Sequence, residues 1–167
     1  MKKTVFYFIL IWFLSLVACN GTTSPNNESD SPDNELDLFD IGFLILHSSE
    51  RIEDGGFTAK SFKFISNQDS YEIELSKYSN DAPVLIDFSK ETVLLLDMGQ
   101  QTSSGFSIKV SNIKEEDDFV SVTVVTEEPG RGCSVDTSLT NPYQFVKIAT
   151  KKSIIINELP PIKTVCN

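Results

Sequence analysis

The stretch VLLLDMGQQTSSGFSIKV, residues 93–110, decides the fold. Val93 to Leu96 is an unbroken apolar run, the length of a buried strand. Phe106, Ile108 and Val110 alternate with Ser107 and Lys109, which is the period of a strand buried on one face. Between the runs lie Gly99, Gln100, Gln101, Thr102, Ser103, Ser104 and Gly105. The two glycines accept backbone angles that other residues resist. The stretch therefore reads as strand, tight polar loop, strand, joined as a hairpin. Loops held on a rigid scaffold are where recognition concentrates. Residues 99–106, ending on Phe106, are accordingly the candidate partner-binding loop. The plainer reading, a hairpin connection and nothing more, stands beside it.

Working outward, apolar runs start at Leu36 and continue to Val165, so residues 36–167 read as one domain. Residues 38–46 read as a strand. So do 57–65, with one slip of phase. Residues 66–78 fit two patterns. Tyr71, Ile73 and Leu75 alternate as in a strand, whereas Tyr71, Leu75 and Tyr78 follow a helical spacing. The helix is preferred, with Ser66 and Asp69 as its cap. Residues 84–88 and 92–98 are further strands. Residues 112–118 form a charged turn, and 119–126, rich in β-branched residues, is the clearest strand in the chain. A long polar loop runs to Asn141. Residues 143–149 and 153–157 then form a closing hairpin. The expected fold is mostly β: a sandwich or barrel-like domain of seven to eight short strands with one short helix.

The N-terminus reads as an address. Lys2 and Lys3 precede an apolar run from Val5 to Val17, which ends in Leu16-Val17-Ala18-Cys19. This is the layout of a signal peptide, and the run is short for a membrane span. Its ending resembles the lipobox of bacterial lipoproteins, which implies cleavage after residue 18 and acylation of Cys19. Asn20 favours the outer membrane if the host has two membranes. Residues 20–35 contain no Leu, Ile, Val, Phe or Met. They read as a disordered tether spanning roughly 20–24 Å. The whole chain carries 24 acidic and 14 basic residues, a net charge of −10. Loss of Lys2 and Lys3 with the signal makes it −12. Such a charge argues against nucleic acid, which needs a basic face, and against charge-driven adhesion to anionic lipid. The lipid alone would hold the chain at a bacterial cell envelope.

Cys133 and Cys166 remain as an even pair in an oxidising compartment, so they are expected to form a disulfide between the long loop and the C-terminal tail. The chain has one histidine, His47, which reads as a strand-end residue rather than a base. Glu115, Glu116, Asp117 and Asp118 read as a solvated turn. No nucleophile elbow, phosphate loop or metal-ligand spacing is present in the sequence. A non-enzyme with no cofactor and no metal is expected.

Three segments then resemble one family. Gly99, Thr102, Gly105 and Ile108 fall where the protease complex subunit PrcB C-terminal domain family places Gly, then Thr-Gly-Gly-Tyr, then an alternating strand. Ser103, Ser104 and Phe106 depart from that form. Residues 119–129 are similar to the family's next strand. Thr140-Asn141-Pro142-Tyr143-Gln144-Phe145-Val146-Lys147-Ile148 resembles its Thr-x-Pro-Tyr-x-x-Val-Lys-Ile segment. The resemblance covers about residues 92–149. It implies a mostly β lipoprotein domain that associates with a protease and supports its stability or maturation. The 99–106 loop is similar, more loosely, to the Thr-Thr-Gly-Tyr loop of chagasin-like cysteine-protease inhibitors, although the Asn-Pro before that loop is absent here. Inhibition is therefore an alternative, and a cell-surface structural or polymer-binding module is another.

Overall fold

The computed structural model describes residues 41–53 and 55–166. Among the described residues, eight strands form two sheets, with a single short helix. The first sheet holds β1 (Phe43–Ser49), β2 (Ser61–Ile65), β3 (Thr92–Asp97) and β6 (Tyr143–Ile148), in the order β1-β6-β3-β2. All its pairings are antiparallel. The second holds β4 (Ser107–Glu115), β5 (Phe119–Pro129) and β7 (Ser153–Glu158), in that order. Here β7 runs parallel to the first half of β5, and β8 (Ile162–Thr164) runs parallel to its end.

The run from Val93 to Leu96 is apolar throughout because both of its faces are covered. Val93 and Leu95 join Tyr143 and Phe145 beneath α1 (Gln68–Leu75), among Tyr71, Leu75, Tyr78 and Ile86. Leu94 and Leu96 join Val146 and Ile148 against Ile108, Ile113, Val120, Val122 and Val124 of the second sheet. The first sheet is thus the middle layer of three. Burial of this kind is worth roughly 1.5–3 kcal/mol per large apolar side chain.

Several expectations are corrected. Residues 93–110 are not a hairpin, since β3 lies in one sheet and β4 in the other. Leu94, Leu96 and Ile108 face the same core from opposite sides, so the 98–106 loop is an arch between layers. Residues 143–157 are likewise no hairpin: β6 stays in the first sheet and β7 crosses to the second. Residues 84–88 form no strand. Gln68 takes their backbone groups instead, donating to Val84 O and accepting from Ile86 N, and Leu85 is left 91% exposed. The helix is present, but its cap is Asn67 rather than Ser66 with Asp69. Asn67 Oδ1 accepts from Ser70 N at 2.8 Å. β4 extends to Glu115, which confines the charged turn to residues 116–118. β8 was not expected.

The register places the loops at two ends. Phe43, Ile148 and Thr92 are level at one end of the first sheet, and Ser49, Tyr143 and Asp97 at the other. Residue 41 enters at the first end. Residues 50–53, 55–60, 98–106 and 130–142 gather at the second, roughly 20 Å away along seven-residue β1.

Candidate functional site

The three gathered loops are tied together by one buried carboxylate. Asp97 ends β3 and is fully buried. Its Oδ2 accepts from Tyr78 OH at 2.5 Å and from Thr58 Oγ1. Its Oδ1 accepts from Gly99 N and Asn141 Nδ2, both at 2.8 Å. Asn141 Oδ1 accepts in turn from Thr58 N at 2.8 Å. Four donors take the place of water around the charge, which is how a buried carboxylate without a cation is tolerated. Burial pushes the Tyr78 phenol far above its ordinary range, and the hydrogen bond to Asp97 adds to that rise. Tyr78 therefore stays a donor at any physiological pH.

The arch is laid down against the 129–142 loop. Gln101 and Thr140 pair through both backbone bonds, at 2.8 and 3.2 Å. Thr140 Oγ1 donates to Ser103 O at 2.7 Å. Ser104 N donates to Asp136 O, and Ser104 Oγ accepts from Asp136 N, both at 2.9 Å. Gly99 has φ +75°, and a Cβ there would lie 2.6 Å from Lys60 N. The position is restricted to glycine both by its angle and by a neighbouring backbone. Gly105, at φ +87°, rests beside Pro129 and Val135.

The sequence-predicted loop residues are therefore together at one surface but not alike. Gln100, Thr102 and Gly105 are exposed. Gln101, Ser103 and Ser104 are half-buried, with backbone groups already engaged. Gly99 is buried, and Phe106 turns inward onto the core between the sheets. Beside the arch, residues 51–53, 55–57 and 139–141 line a cleft of about 210 Å³, walled by Phe57 (49% exposed) and Leu139 (44% exposed). Arg51 lies at this cleft, and its Nη2 donates to Ser138 Oγ at 2.5 Å and to Asp136 Oδ2 at 3.3 Å. Hydrogen bonds from Ser138, then the charge of Arg51, hold the Asp136 carboxyl below its usual range.

Sequence reading missed Thr58, Tyr78, Asp97 and Asn141 as a unit, and Phe57 with Leu139 as a pair. One signal was present: an aspartate directly after four buried apolar positions and two before a glycine. Cys133 and Cys166 lie at disulfide distance, with Cα atoms 5.1 Å apart. Cys19 lies outside the described residues. His47 sits within β1, where Nε2 is 2.9 Å from Tyr71 OH and Nδ1 is 3.3 Å from Asp81 Oδ2. Tyr71 is fully buried and its phenol is raised by that burial, while Asp81 at the other end is exposed. Glu115 pairs with Lys152 and Glu116 with Lys114. Among the described residues, no group of three or more His, Cys, Asp or Glu could hold a metal ion.

The arch, β4, β5 and the loop returning to β6 form one continuous segment that spans both sheets. Residues 92–149 match the family model described as PrcB C-terminal. The matched segment runs from the first residue of β3 to just past β6. It includes both interlocked loops, with Asp97, Gly99 and Asn141. Thr58 and Tyr78 reach the same carboxylate from outside it, so the rest of the chain completes the support of the arch. No curated protein and no solved structure was found to match the chain.

Proposed function

We propose that this protein is a lipid-anchored envelope protein whose β domain is a non-catalytic docking module. It binds a secreted or surface protease through the face made by the 98–106 arch and the Phe57–Leu139 cleft. The observation that carries the reading is the construction of that face. A charged hub, two interlocking loops and a glycine with no room for a side chain hold it in one shape before any partner arrives. Preorganisation of this kind lowers the ordering cost of binding. The PrcB C-terminal match supports a protease complex as the setting.

The arch lies at the end of the sandwich opposite the point where residue 41 enters. The half-exposed Phe57 and Leu139 supply the apolar centre that interfaces need, with Gln100 and Thr102 as polar contacts beside it. Phe106 packs inward rather than projecting, and the arch lies flat along its neighbour. This favours a docking surface over an inhibitory loop inserted into an active-site cleft.

Affinity capture with the full chain from native membranes, read by activity-based protease labelling, tests the reading. A co-purified protease whose activity or lifetime drops when the chain is absent is the expected result. Recovery of only polysaccharide or peptidoglycan would overturn it. A protease inhibited on addition of the chain would instead establish the inhibitor alternative.

A further inference from the structure

The docking face leans on a tail that is itself weakly held. β8 is three residues long, and all three are exposed. Pro160 and Pro161, which donate no backbone hydrogen bond, separate it from β7. Its anchors are the short parallel pairing with residues 127–129 and, beyond it, the Cys133–Cys166 bond. Gly130 sits so close to this tail that a Cβ would fall 2.1 Å from Thr164 O. The segment clamped in this way is the wall behind the second half of the arch. Gly105 packs on Pro129 and Val135, and Ser104 exchanges two hydrogen bonds with Asp136. The first half of the arch has separate supports: Asp97 on Gly99, Pro142 O on Met98 N, and Thr140 on Gln101. Cys166 is exposed and Cys133 half-exposed, so a thiolate can approach the bond from solvent.

We propose that Cys133–Cys166 is a reducible latch on the docking face. Closed, it fixes Ser104, Gly105 and residues 130–136; open, it frees them while the Asp97 hub and Thr140 keep 97–103, and the core keeps Phe106 and both sheets, in place. The functional meaning rests on the docking reading above, but the latch can be tested without a partner. The reaction is thiol–disulfide exchange with a dithiol reductant. One thiolate of the reductant attacks Cys166 Sγ and displaces the Cys133 thiolate. The second thiolate then attacks the mixed disulfide and releases Cys166. The reductant leaves as a disulfide, two electrons pass to the cystine, and the two new thiolates take up protons as their pKa values dictate.

Amide hydrogen exchange on the full chain decides the matter, before and after reduction with dithiothreitol, alongside a Cys133→Ser/Cys166→Ser variant without reductant. The amides of Ser104 and Cys133 are expected to exchange at least about tenfold faster once the bond is gone, while those of Gly99, Gln101 and β3 stay within about twofold. Unchanged exchange at Ser104 and Cys133 would overturn the latch. So would β3 and β6 opening together with the loop, because the bond would then staple the whole domain. If neither the oxidised nor the reduced chain captures a protease, the docking reading fails and the exchange result still decides the latch.

Discussion

Replacing Asp97 by asparagine keeps the size of the hub and removes its charge. The two oxygens of Asp97 each accept from two donors. Asparagine offers one acceptor and one NH2 group, so whichever way it turns, its amide meets two donors head-on. If the NH2 faces Oδ2's partners, Tyr78 OH is stranded in a fully buried site; Thr58 Oγ1 can turn to Asn141 Oδ1, 3.0 Å away. If it faces Oδ1's partners, Gly99 N and the fully buried Asn141 amide are stranded. One buried donor left unmet costs about 1–3 kcal/mol, and loss of a charge-assisted bond adds to that. Relief of the buried charge offsets part of the sum, leaving about 2–3 kcal/mol of lost stability. In urea, with a slope of about 2 kcal/mol per M, the midpoint should fall by about 1 M. Exchange at Gly99 and Gln101 should quicken with it. A midpoint lowered by less than about 0.2 M would refute the claim that Asp97 holds the loops together.

Further outcomes follow from the same contacts. Burial raises the phenols of Tyr71, Tyr78 and Tyr143. The folded chain therefore keeps protons that the unfolded chain releases above about pH 10, and stability is full below that pH and falls as pH rises past it. Thermal melts from pH 9 upward should show the fall, and Tyr78→Phe should make it shallower while costing about 1–2 kcal/mol at neutral pH. Gly99→Ala should destabilise by more than about 2 kcal/mol, because strain in φ and collision with Lys60 N act together. Gly105→Ala, whose Cβ would meet nothing nearer than Pro129 at 3.4 Å and Val135 at 3.6 Å, should cost nearer 1 kcal/mol in the same melts. An equal cost at the two glycines would contradict the assigned close approach.

How much of this was legible in the sequence varies from element to element. The burial of 93–96 could be read because both faces of β3 are covered, which leaves no polar position in the run. Helix α1 was readable from Tyr71, Leu75 and Tyr78, whose spacing puts all three into one core. Strand partners were not readable. Alternation at Phe106, Ile108 and Val110 reports that one face is buried, and a core between two sheets satisfies that as well as a hairpin does. Residues 84–88 have strand composition, yet the Gln68 side chain takes the place of a neighbouring strand. Of the hub, only Asp97 left a mark in the sequence, as an aspartate closing an apolar run two residues before Gly99. The hub's members stand at 58, 78, 97, 99 and 141, and only the folded chain brings them to one carboxylate.

The central claim is that the arch end of the domain meets another protein. Photo-crosslinking in native membranes tests it most directly, with a benzophenone side chain placed at exposed Thr102 in one variant and at exposed Lys151, near the opposite end, in another. The account predicts a discrete protease adduct from position 102, lost when Phe57→Ala and Leu139→Ala are combined, and none from position 151. An adduct that forms equally from both ends, or only from position 151, would contradict it.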